Sequence, residues 1–145
     1  MKGAYKQFSN KLFNEHDSKA RAKAIEFFAN NGLKAKPNNN EFGVDLLVVD
    51  ANDALLYFVE VEVKNNWNAP AFPFDTLNIP ERKGKYATMY KNRMFWIVFS
   101  KDLSRMLLVT TEALKHAKLV EVSNKFVAAG ELFYQVPVEK CELYE

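Results

Sequence analysis

The sequence is poor in the residues that build covalent or soft-metal frameworks. It holds one cysteine, Cys141, and two histidines, His16 and His116, in 145 residues. A single thiol excludes an internal disulfide framework and a Cys-based zinc cluster, and two histidines exclude a histidine-rich metal site. Long apolar runs are missing as well. The longest, Met94 to Phe99, is far too short to span a bilayer. Met1 to His16 is polar and never forms the apolar stretch of a secretory signal, so an intracellular, cytosolic location is expected, with no membrane partner. Charge of one sign is not in excess: 20 Lys and Arg stand against 18 Asp and Glu, a net charge of +2. That is too mild to mark a nucleic-acid binder by itself.

What is present describes an ordinary folded chain. Apolar residues make up 48% and charged residues 26%, which excludes wholesale disorder. The length suits one domain over residues 1–145, able to bury a core without staples. There is no internal repeat and no linker, and the many asparagines are scattered in loops. Charge distribution is more informative than its sum. Arg82 to Arg93 holds Arg82, Lys83, Lys85, Lys91 and Arg93 with no acid among them, while Asp45, Asp50, Asp53, Glu60 and Glu62 lie upstream.

Asp17 to Asn31 predicts a helix, with Ala22, Ile25, Phe28 and Ala29 on its buried face and Gly32 at its end. After a polar turn at Asn38 to Glu41, Val44 to Val49 reads as a strand, Asp50 to Ala54 as a hairpin turn and Leu55 to Lys64 as a second strand. Trp67 to Pro80, with three prolines, is expected to be an irregular loop, and Pro80 to open a helix reaching about Lys91 that Gly84 weakens. Met94 to Ser100 reads as a strand covered on both faces and Met106 to Thr110 as another. Thr111 should cap a short helix through Lys118. Glu121 to Val122 and Glu131 to Val136 are the expected late strands, with a turn at Gly130. The pattern is α/β, with a mixed sheet.

The most informative stretch is Tyr57-Phe58-Val59-Glu60-Val61-Glu62-Val63-Lys64. Alternation places Tyr57, Val59, Val61 and Val63 on one face, buried against a helix, and Glu60, Glu62 and Lys64 on the other. The short turn makes this strand the antiparallel neighbour of Val44 to Val49. Counting outward sets Asp45 opposite Val59 or Glu60, and one choice of register gathers all three carboxylates on a shared face. Carboxylates crowded in this way repel unless protons or a cation neutralise them, and a hard divalent ion with oxygen ligands answers that need. The competing reading is a solvated strand face on which Glu and Lys alternate.

Gly43-Val44-Asp45, the hairpin, and Glu62-Val63-Lys64 together resemble the active-site signature of the PD-(D/E)xK nuclease superfamily, which includes restriction enzymes, Holliday-junction resolvases and phage recombination nucleases. The resemblance extends to element order over Asp17 to Thr110 and implies a restriction-endonuclease-like fold, a central mixed β-sheet flanked by helices with an αβββαβ core. Val44 stands where the family name has proline. By position, Asp45 resembles the metal-bridging aspartate, Glu62 the second ligand, and the Val63 carbonyl completes the inner shell. Lys64 resembles the lysine that orients the attacking water. Asp17, or else Glu15, would supply the first-helix acid, with helix capping as the other role open to Asp17. Glu60 would be a second-site metal ligand or a salt-bridge partner.

The resemblance implies a Mg²⁺-dependent DNA endonuclease, with Mn²⁺ as substitute, of phage, mobile-element or repair type. The alternatives are an exonuclease or RNA-directed nuclease on the same fold, and a catalytically silent nucleic-acid-binding module. The expected partner is duplex or branched DNA, and a homodimer is compatible with the sequence. Arg82, Lys83 and Lys85 are the expected phosphate contacts, against the reading of a solvated helix face. Trp67 either stacks on a base or packs under the proline-rich loop with Phe72 and Phe74. Tyr86 and Tyr90 are expected in the core, and Cys141 is read as a packing residue.

Overall fold

A computed structural model of the chain describes residues 18–40, 43–68, 70–124 and 127–145. Residues 18–30 are helical (α1), and their buried stripe is Ala20, Ala24 and Phe28. This corrects the expected face, because Ala22 and Ala29 are exposed. The sheet beneath receives residues four apart, and the two small alanines let the helix lie close to it. Asp17 and Glu15, the candidates for a first-helix acid, lie outside the described residues, as does His16.

Three strands follow as an antiparallel meander: β1 (Lys34–Pro37), β2 (Leu46–Val49) and β3 (Leu55–Val63). The β2–β3 turn is fixed by Asp50, whose Oδ1 accepts from the N–H groups of Asn52 (2.8 Å) and Ala54 (3.0 Å). Next come β4 (Thr76–Pro80), α2 (Glu81–Gly84), α3 (Tyr86–Tyr90) and a 3₁₀ turn at Lys91–Arg93. Then β5 (Met94–Phe99) runs parallel to β3, and β6 (Met106–Thr110) returns antiparallel. A short α4 (Thr111–Leu114), β7 (Lys118–Asn124), β8 (Val127–Pro137) and β9 (Glu142–Tyr144) complete the chain.

The strands form a mixed six-stranded sheet, β1-β2-β3-β5-β6-β9, and a three-stranded sheet, β4-β8-β7. Two apolar layers result. Val59, Val61, Leu46, Val48, Ile97 and Phe99 pack one face of the large sheet against Ala20, Ala24 and Phe28. The opposite face buries Val44, Trp96, Val98, Leu107 and Val109 with Leu77, Ile79 and Val136 of the small sheet. Each such fully buried aliphatic side chain contributes about 1.5–3 kcal/mol. Tyr86 lies in this second layer with Tyr90 packed against it, as expected of both. No described helix is long and apolar enough to cross a membrane.

Several expected elements differ. The stretch expected as a loop contains β4, because its Thr76–Pro80 backbone pairs with Pro137 to Phe133 of β8. The small sheet thereby covers the face of the large sheet opposite α1. The helix after Pro80 breaks at Lys85 into two short segments. Thr110, not Thr111, caps α4 by accepting from the Ala113 N–H at 3.1 Å, and Thr111 instead donates to the Lys91 carbonyl at 2.6 Å. Lys118 opens β7 rather than ending a helix, and Gly130 lies inside β8.

Gly84 explains why α2 can sit where it does. A Cβ there would come within 2.3 Å of the Tyr134 ring. Gly84→Ala must move either the ring or the helix, and we expect a loss of about 1–3 kcal/mol in chemical denaturation, as for other overpacked sites. A midpoint equal to wild type would mean that the ring yields freely.

Candidate active site

Asp45 enters the site from a tight loop. The Asn38 N–H donates to the Asp45 carbonyl at 3.0 Å, and Asn38 Nδ2 donates to the Val44 carbonyl at 3.0 Å. This amide lies so near Gly43 that a Cβ there would meet it at 2.7 Å, which accounts for glycine two residues before the aspartate. Leu46 pairs with Val59, so Asp45 stands opposite Glu60, one of the two registers expected. Asp45 Oδ2 accepts from the Val61 N–H at 2.8 Å, so the side chain extends the β2–β3 ladder beyond its backbone end.

Glu60 is the buried acid of the group, 8% exposed. Burial, followed by its hydrogen bond and charge repulsion with Asp45, pushes its carboxyl up to about 9. Lys83, on α2, works in the opposite direction. Burial and the hydrogen bond to Asp45 thus favour the protonated form of Glu60 in the metal-free protein at neutral pH. Tyr86 of α3 shares this environment: its hydroxyl is raised by burial and then by Glu60, Tyr90 and Asp45. The tyrosine read as purely structural thus also borders the carboxylates.

Glu62 follows on the same face of β3, about 6.6 Å along the strand. Its Oε1 lies 3.5 Å from Lys64 Nζ, both side chains being about three-quarters buried (27% and 22% exposed). The Lys64 ammonium also reaches the Asn78 carbonyl of β4 at 3.4 Å. Asn78 had no sequence signal, because its strand was read as loop. The structure therefore brings Asp45 to Glu60 and Glu62 to Lys64, with both pairs on one sheet face. Val63 ends β3, and the Lys64 N–H is tied to the Phe99 carbonyl at 2.9 Å.

The basic residues separate. Arg82 Nε lies 3.4 Å from Glu131 Oε1, and Lys85 Nζ sits 5.4 Å from the Tyr86 ring centre. Arg93 donates to the Leu55 and Leu56 carbonyls at 2.6 and 2.9 Å, a structural role at the start of β3. Trp67 is fully buried and meets Phe72 edge-on at 5.1 Å, as the packing reading expected. Burial pushes the Cys141 thiol up to about 11, so it is no nucleophile at neutral pH.

No family model matches the chain, and no curated protein matches it. Among solved structures it is similar to a nuclease from a fusselovirus, with a TM-score of 0.49 and 16% identity over 96% of this chain and 83% of that one.

Among the described residues, no group of three or more His, Cys, Asp or Glu side chains is placed to hold a metal ion. A closed, all-protein metal cage does not fit. An open site does. Asp45 and Glu60 are a repelled carboxylate pair relieved by a proton, and Mg²⁺ binds through one or two carboxylates while water and substrate phosphate complete its shell.

The raised Glu60 also makes a prediction for the metal-free protein. The folded state holds this proton more tightly than the unfolded chain, whose glutamates titrate near 4.5. Stability from Glu60 is thus full at low pH and is lost as pH rises towards 9. Glu60→Gln should remove this loss, so its melting temperature in EDTA should gain on wild type between pH 6 and pH 9. Parallel pH curves would mean that Glu60 ionises as freely folded as unfolded.

Proposed function

We propose that this chain is a metal-dependent nuclease that hydrolyses phosphodiester bonds in DNA. The observation that carries the reading is the ordered row on one strand face: Glu60 beside Asp45, then Glu62 beside Lys64. A solvated strand face would not bury Glu60 to 8% exposure or aim Asp45 at the Val61 amide. The resemblance of Gly43-Val44-Asp45 and Glu62-Val63-Lys64 to the PD-(D/E)xK signature points the same way. It brings with it a restriction-endonuclease-like arrangement.

Asp45 and Glu62, with the Val63 carbonyl, would hold Mg²⁺, or Mn²⁺ in its place, as an open site in which Glu60 is the hydrogen-bonded neighbour of Asp45 rather than a third carboxylate ligand. When bound, the ion supplies charge neutralisation at the scissile phosphate and a lowered pKa for water. The chain's own residues do the rest. Asp45 is held by the Val61 N–H, so its free oxygen is fixed in direction. Lys64, between Glu62 and the Asn78 carbonyl, would hold the attacking water and a non-bridging phosphate oxygen. As the water gives up a proton to solvent and its oxygen joins phosphorus, one phosphorus–oxygen ester bond breaks, and the departing oxygen takes up a proton from solvent. Arg82, Lys83 and Lys85 supply positive charge along α2 for the nucleic-acid backbone.

The test is incubation of the protein with plasmid, linear duplex, single-stranded and four-way-junction DNA, with and without Mg²⁺. Nicked or cut plasmid only with the ion supports an endonuclease, and loss restricted to linear ends supports an exonuclease. Binding without cleavage in Mg²⁺ or Mn²⁺ would overturn the enzymatic reading and leave a binding module.

A further inference from the structure

The three basic residues of the Arg82–Lys85 segment look equivalent in sequence, but the structure gives them different surroundings. Arg82 is drawn away towards Glu131 of β8. Lys85 lies over the face of Tyr86 and is exposed. Lys83 is half-buried, and its backbone is pinned: its carbonyl accepts from Trp96 Nε1 at 3.3 Å. Trp96 is in turn the β5 residue paired with Glu60 of β3. On the other side of α2, the absent Cβ of Gly84 lets the helix press against the Tyr134 ring. Two constraints on neighbouring residues thus fix α2 beside the strand position that carries the buried carboxylate.

We infer that the Lys83 ammonium is part of the active site, where it contacts the substrate phosphate beside the Asp45–Glu60 pair. The inference rests on the nuclease reading and deepens it, since it separates one site cation from two that serve the wider DNA path. The charge of Lys83 already acts on Glu60 in the substrate-free protein. Lys64 follows β3 and Lys83 lies on α2, so a phosphate at the Asp45–Glu60 pair would meet positive charge from two separate elements. Such fixed charges favour a geometry in which negative charge accumulates during hydrolysis.

The test uses the full chain with Lys83→Met, which keeps the aliphatic stem, Lys83→Gln as a second neutral variant, and Lys83→Arg, which keeps the charge. The contact with Trp96 is made by the main chain, so melting temperatures should stay close to wild type. Single-turnover cleavage with saturating protein should slow by about a hundredfold in both neutral variants, the cost typical of one lost charge-stabilising donor. DNA affinity measured in EDTA against salt should lose about one unit of log–log slope in the neutral variants and none in Lys83→Arg. Lys83→Arg should also cleave faster than Lys83→Met. Wild-type rates and slopes in both neutral variants, with the wild-type protein active, would overturn this inference and leave the nuclease reading standing. Equal slowing in the arginine variant with an unchanged slope would assign Lys83 to shape rather than charge and overturn it as well. A wild-type protein that neither binds nor cuts DNA would overturn both.

Discussion

Lys64→Met is expected to slow DNA cleavage by about three orders of magnitude while leaving DNA binding and folding close to wild type. The side chain contributes little to stability. Its contact with Glu62 is long, at 3.5 Å, and Glu62 keeps 27% exposure, so water can solvate the carboxylate when the ammonium is removed. The backbone of Lys64 is held independently, by the Phe99 carbonyl at 2.9 Å and by the Trp67 N–H, which donates to Lys64 O at 3.1 Å. What is lost is a cation fixed between Glu62 and Asn78, where an attacking water and a phosphate oxygen would meet. Removal of a preorganised donor of this kind costs about a hundredfold to a thousandfold, more where it also positions the nucleophile. Single-turnover cleavage, electrophoretic binding and a thermal melt measured on one preparation separate these effects. Cleavage at the wild-type rate would remove the enzymatic reading of β3.

Asp45→Asn is expected to abolish both cleavage and the stabilisation of the protein by divalent ions. Asparagine keeps an oxygen that can accept from the Val61 N–H, so the β2–β3 extension survives. It carries no charge, so the donor set for a hard cation loses its best placed member. In wild type, Mg²⁺ or Mn²⁺ at about a hundred times its dissociation constant should stabilise the folded state by about 2.7 kcal/mol. The variant should show no such shift. Without metal the variant should stay close to wild type near neutral pH, where Glu60 holds its proton, and should gain on it as pH rises towards 9 and Glu60 would otherwise ionise beside Asp45. Calorimetric titration with Mn²⁺ and melting with and without Mg²⁺ measure both halves. Equal metal affinity in the two proteins would move the ion away from Asp45.

The experiments on Lys64, Lys83 and Asp45 differ in what they read. Lys64 tests the chemical step, Asp45 the ion, and Lys83 the electrostatic hold on the substrate. A protein lacking only the Lys83 role would still cut DNA and still bind metal.

Much of this site is written into local sequence. The strict alternation from Tyr57 to Lys64 sends Val59 and Val61 to the layer under α1 and Glu60, Glu62 and Lys64 to the other face, and the structure follows it. Period-two alternation is set by the pleat of a single strand, so it needs no partner to be legible. The turn at Asp50 to Ala54 is likewise local, since Asp50 bonds its own loop. With that turn length given, the Asp45–Glu60 register followed to within one residue. Tertiary structure decided the remainder. Thr76–Pro80 is a strand only because β8, more than fifty residues later, pairs with it, and proline-rich local sequence gives no sign of that partner. Burial of Glu60, and with it the shared proton, depends on α2 and α3 closing over the sheet. The different surroundings of Arg82 and Lys83 arise because Glu131 and Trp96 come from other strands, whereas Lys85 meets its own sequence neighbour, Tyr86. Sequence periodicity reports which way a side chain points from its own strand or helix. What it meets there is set by long-range pairing, whose energy lies in contacts between segments that the sequence keeps far apart.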